Sequence, residues 1–123
     1  MPAKRKARPR SRVIHAGDVT FSKIVTTSTI PVLVDFWAPW CGPCIDMGPE
    51  LEKVAKEFGP NLKVLEVNVD RSPIASDFFK IDAVPTLFLF QDRKVEGSLV
   101  GYKSARQLER WLAGKKVFPA RPR

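Results

Sequence analysis

The sequence predicts an α/β domain in which a central mixed β-sheet carries helices on both faces, and three observations predict it. Apolar runs of strand length alternate along the chain with segments of helical periodicity. The run at 31–37 is apolar almost throughout, the pattern of a strand covered on both sides. The last two strands lie so close in sequence that they must pair antiparallel, which mixes an otherwise parallel order. The element order is β-α-β-α-β-α-β-β-α.

Each element has its own local cause. Val13-Ile14-His15 reads as a short strand, and Asp18 then offers a cap for a helix to about Thr27, with Val19, Phe21, Ile24 and Val25 available for burial. The strand at 31–37 is the expected centre of the sheet. A helix from Cys41 to Phe58 follows, placing Met47, Leu51, Val54, Ala55 and Phe58 on one face; Gly59-Pro60 stops it, and Pro49 inside it should bend it. Val64 to Val69 is a strand, and Ser72-Pro73 opens a short helix expected to turn Ile74, Ala75, Phe78 and Phe79 inward. Thr86 to Phe90 and Val95 to Val100 flank a hairpin loop, Gln91-Asp92-Arg93-Lys94. Ser104 to Gln107 matches a capping box, which starts a last helix that carries Leu108, Trp111 and Leu112 to Gly114.

At 123 residues, 44% hydrophobic and 28% charged, the chain has the composition of one soluble domain with a real core. No apolar segment approaches the roughly 20 residues needed to span a bilayer, and the first residues lack the apolar stretch of a secretory signal, so no membrane partner and a cytoplasmic location are expected. The formal charge of +8 is unevenly spread. Residues 1–12 carry Lys4, Arg5, Lys6, Arg8, Arg10 and Arg12, and residues 115–123 carry Lys115, Lys116, Arg121 and Arg123, with no acid at either end. These ten are taken from 21 basic residues, and the eleven that remain meet all 13 acids. The expected organisation is a basic flexible arm at 1–12, a folded domain at 13–114 and a basic tail at 115–123.

The only two cysteines stand in Trp40-Cys41-Gly42-Pro43-Cys44, where the central strand gives way to a helix. Two thiols three positions apart at such a junction suit reversible disulfide chemistry. Cys41 falls where unpaired N–H groups and the helix dipole favour a thiolate, which makes it the expected nucleophile. Cys44, one turn further in, is the expected resolving thiol. Gly42 lets another backbone come close, and Pro43 stiffens the ring and shapes how readily the disulfide is reduced. Zinc needs four ligands, and beyond two cysteines the chain offers only His15, far upstream, which reads as a packed or solvated strand residue; no metal is expected. A structural disulfide would close too small a loop to stabilise much.

Asp35 is an acid inside an apolar strand, where a carboxylate is costly unless it is paired or neutral. It is either a proton carrier for Cys44, with its pKa raised by burial, or a solvated residue at a strand end. Val84-Pro85-Thr86 is either a cis bond beside Cys41, offering the Val84 backbone to an extended substrate, or an ordinary trans turn.

With these residues in this order, and above all through Val34-Asp35-Phe36-Trp37-Ala38-Pro39-Trp40-Cys41-Gly42-Pro43-Cys44, the chain closely resembles the thioredoxin family over about residues 13–114. The resemblance implies the thioredoxin fold, a redox-active Cys41–Cys44 pair that reduces protein disulfides, a buried proton-handling Asp35, a helix bend at Pro49 and a cis Pro85. It implies that Trp40, Val84, Pro85 and Gly101 line an apolar docking surface, and that the domain works as a monomer with no bound cofactor. The implied electron source is a thioredoxin reductase drawing on NADPH; the implied clients are ribonucleotide reductase, peroxiredoxins and methionine sulfoxide reductases. Glu66 stands where many members have a lysine beside the buried acid, so repulsion of Asp35 by Glu66 would raise the pair's apparent pKa. Ile45 replaces the usual basic residue after the second cysteine, Asp92-Arg93 the usual glycine-containing hairpin tip, and Ala83 a frequent glycine.

The arms allow a second function, a domain tethered to nucleic acid, ribosomes or an acidic partner by salt-sensitive contacts. A solubilising tail is the plainer alternative. Pro2, Pro9 and the scarcity of apolar residues argue against an organelle transit helix.

Overall fold

The computed structural model describes residues 12–120. The expected basic arm therefore lies outside the described residues except for Arg12, as do Arg121 to Arg123 of the expected tail. Five strands, β1 (Val13–His15), β2 (Val32–Trp37), β3 (Lys63–Asn68), β4 (Thr86–Gln91) and β5 (Lys94–Val100), form one sheet in the order β1-β3-β2-β4-β5. β1, β3 and β2 run parallel, while β4 pairs antiparallel with both β2 and β5. The sheet is mixed, and β2 is its central strand, as its apolar sequence predicts.

Helices cover both faces. Phe21 and Val25 of α1 (Asp18–Thr27) and Ala75 of α3 (Pro73–Phe78) join Val34, Phe36, Leu65 and Val67 in one core. Phe21, Phe36, Phe79, Phe88 and Phe90 meet there, mostly edge to face, at centroid distances of 5.3 to 6.2 Å. Met47, Leu51, Val54 and Phe58 of α2 (Gly42–Phe58) and Leu108 and Leu112 of α4 (Ala105–Gly114) pack the opposite face with Val13, Leu33, Val64, Leu87 and Leu89. α2 is continuous through Pro49.

Several local expectations are corrected. Asp18 does not cap its own helix, whose N-cap is Gly17. Its carboxylate instead accepts the N–H groups of Ala75 at 2.8 Å and Ile74 at 3.3 Å, capping α3 from another element. Ile74 and Phe78 do not turn inward and are 73% and 76% exposed. A six-residue helix offers the sheet one stripe, and Ala75 and Phe79, four apart, occupy it. Val19 in the first turn of α1 is likewise exposed. The hairpin loop is two residues, since Gln91 pairs with Lys94, and Asp92 and Arg93 both take positive φ, 51° and 67°. The α4 capping box is present, with Gln107 N–H on Ser104 Oγ at 3.1 Å and Ser104 N–H on Gln107 Oε1 at 2.8 Å.

The chain after Gly114 is also placed differently as far as Ala120. Val117 is buried, its N–H bonds the carbonyl of Leu112, and Ala120 N–H bonds the carbonyl of Glu57. Lys115 and Lys116 made this stretch look like a free tail; the apolar Val117 between them and Pro119 is what docks it.

Candidate active site

β2 delivers the chain to the end of the sheet where its parallel strands finish, and the turn after Trp37 folds back so that Cys41 N–H bonds the carbonyl of Ala38 at 3.1 Å. Cys41 is the N-cap of α2, with extended backbone angles (φ −97°, ψ 111°). Its sulfur accepts the Cys44 N–H at 3.2 Å, so the side chain occupies the place where a helix presents free donors. Cys41 and Cys44 are joined as a disulfide across a Cα separation of 5.2 Å, and both are buried against Ala38, Trp37, Val69 and Val84. Gly42 and Pro43, the first two helical residues, are exposed, and a Cβ on Gly42 would meet nothing within 4 Å. The surface beside the disulfide is therefore open to an approaching chain.

The Val84–Pro85 peptide is cis. The Val84 carbonyl oxygen lies 3.6 Å from Cys41 Sγ, and Pro85, itself buried, accepts the Gly101 N–H at 2.8 Å. Gly101 has φ 93°, a conformation that side-chain-bearing residues resist, and this lets the end of β5 turn beside Pro85. Trp40 stands 69% exposed next to Cys41, and its indole N–H donates to Asp70 at 2.9 Å. Trp40, Val84, Pro85 and Gly101 thus come to the same end of the sheet as the disulfide. The sequence reading missed Asp70. Register could have found it, because Trp37 lies opposite Asn68, so residues a few places beyond each strand end must also meet.

Asp35 is 1% exposed, on the α2 face of the sheet, since Leu33 and Leu87 beside it pack into the α2 core. Neither carboxylate oxygen accepts a hydrogen bond among the described residues. Burial pushes its pKa well above the usual carboxylate range, and the neighbouring Glu66 charge pushes it further. The solvated alternative at a strand end is not what the structure has. Glu66, opposite Asp35 in the register, is also raised by burial, against which His15 pulls it down and Glu52 pushes it up.

Comparison with known proteins comes to the same place. The family profile described as Thioredoxin matches residues 12–114. A thioredoxin of Haemophilus influenzae is 38% identical over 102 residues, covering 83% of this chain and 95% of that protein. Thioredoxin 1 of Synechococcus elongatus is 43% identical over 84 residues, 68% of this chain and 78% of that protein. A thioredoxin of Mycobacterium tuberculosis is 40% identical over 104 residues, 85% of this chain and 90% of that protein.

Proposed function

The chain belongs to the thioredoxin family and is a thiol–disulfide oxidoreductase that reduces protein disulfides, and from this we propose that Cys41 attacks, Cys44 resolves and Asp35 takes up the resolving proton. What carries the assignment is the asymmetry of the pair. The Cys41 sulfur sits on the N-terminal end of α2 and accepts the Cys44 N–H, both of which favour negative charge on that sulfur and not on its partner.

Cys41 as thiolate attacks a client disulfide and forms a mixed disulfide, expelling the first client sulfur. Cys44 then loses its proton and attacks Cys41 Sγ, closing the ring across a Cα separation of 5.2 Å, within the ordinary range for a disulfide. The raised pKa of Asp35 suits it to take up a proton near neutral pH, where an ordinary aspartate would stay ionised. Gly42 and Pro43 tune the ring between the cysteines. Trp40, Val84, Pro85 and Gly101 receive the client segment.

Family membership implies a thioredoxin reductase as the electron source and disulfide-bearing proteins as clients. Peroxiredoxins, ribonucleotide reductase and methionine sulfoxide reductases are the clients we assign, and the cytoplasm, where thiols are kept reduced, is the compartment that suits a reductase. The test is reduction of insulin disulfides. Cys41→Ser is expected to abolish turnover, and Cys44→Ser to accumulate mixed disulfide with loss of turnover. Full activity in either variant would overturn the assignment.

A further inference from the structure

The pairing of three parallel strands sets three titratable side chains in one row. Asp35 lies opposite Glu66, and Glu66 opposite His15. Residues paired in this way project from the same face of a sheet. Two positions earlier on the same strands, Leu33, Val64 and Val13 all sit in the core beneath α2, which identifies the face. Exposure rises along the row. Asp35 is 1% exposed, the Glu66 side chain 14% and the His15 side chain 70%. Glu66 Oε1 and His15 Nδ1 are 3.2 Å apart.

Asp35 has few other ways to exchange a proton. On its other side β4 supplies Leu87, which carries none. From α2, the charge that acts on the row is Glu52, through Glu66, and Cys44 is the source of the proton in the resolving step. A carboxylate that receives a proton at every resolving step must also shed it, or it serves once. We propose that Glu66 and His15 form the exit through which the proton taken up by Asp35 reaches solvent, which makes both positioning residues for the resolving step. This rests on Asp35 as the proton acceptor for Cys44.

Cys44 sulfur forms a bond to Cys41 Sγ as the Cys41–client disulfide breaks; the protein dithiol is oxidised by two electrons and the client disulfide is reduced by two. The Cys44 proton passes to Asp35, then to Glu66, then to His15 and water, while the departing client thiolate takes a proton from solvent. The His15 imidazole, whose ring nitrogens can accept and donate a proton, stands at the wet end of the row in contact with both Glu66 and solvent.

The experiment is single-turnover reduction of an aromatic disulfide whose thiolate absorbs light, so that attack and resolution appear as two phases, followed from about pH 5 to 9. It uses the full chain and its Glu66→Gln, His15→Ala and Asp35→Asn variants. Glu66→Gln and His15→Ala are expected to slow the second phase several-fold and leave the first unchanged, and added imidazole buffer is expected to restore His15→Ala. Glu66→Gln should also move the pH profile of the second phase downward, because one negative charge beside Asp35 is gone. If both variants superimpose on the parent while Asp35→Asn is slow, the exit is overturned and Asp35 keeps its role. If Asp35→Asn is also unaffected, both readings fall. Slowing of His15→Ala that imidazole does not relieve would likewise overturn the exit.

Discussion

Asp35 carries a charge that its burial disfavours. Its folded pKa is raised above the unfolded value by burial and then by Glu66, so its contribution to stability is fully present below the unfolded pKa and is lost as pH rises through the folded one. Asp35→Asn removes that dependence. The variant is expected to melt higher than the parent at pH 9, with the gap closing toward pH 4, as scanning calorimetry would show; a gap constant with pH would contradict the burial account. The same substitution should slow resolution. Asp35 was legible in the sequence because an acid inside an apolar run is conspicuous. Glu66 was legible only as a departure from a family pattern, and His15 as an isolated histidine. Their pairing depends on the register of strands about fifty residues apart in the chain, which no local pattern encodes.

Among the elements, those with strong periodicity are where the sequence puts them, and differences gather where neighbours decide the outcome. The helix of α2 ends at Phe58 as expected because Gly59, with φ 49°, can leave the helix. The facing of α3 differs from its sequence pattern because a short helix has too few turns to declare its buried side, and Asp18 caps a helix distant in the chain and not the nearest one. Glu50 does a similar service for α4, its carboxylate accepting the Ala105 N–H at 2.8 Å. The hairpin tip is strained by chemistry that the sequence did reveal. Asp tolerates the left-handed region through its short polar side chain; Arg93, at φ 67°, does not. Arg93→Gly is expected to stabilise the fold by about 1 kcal/mol, which raises the melting temperature by about 4 °C. An unchanged or lower melting temperature would show that the tip is held without cost.

For the molecule as a whole, the folded body extends past the point where composition suggested that it ends. Val117 is 3% exposed, Asn61 donates to the Phe118 carbonyl at 3.0 Å, and Ala120 is bonded to Glu57. Ending the chain after Gly114 is therefore expected to cost about 2 kcal/mol through loss of the buried valine, read as a lower urea midpoint. No change would mean that the segment adds nothing to the fold. Two lysines just before an apolar residue, and arginines a few places after it, hide such a strap from any reading by composition. The strap also has a practical consequence. α2 spans 17 residues, about 25 Å from the disulfide at its first turn to the strap beneath its last. A dye, a bead or a fused protein attached beyond Ala120 would leave from the pole opposite the sulfurs, and the working face would stay clear for its visitors.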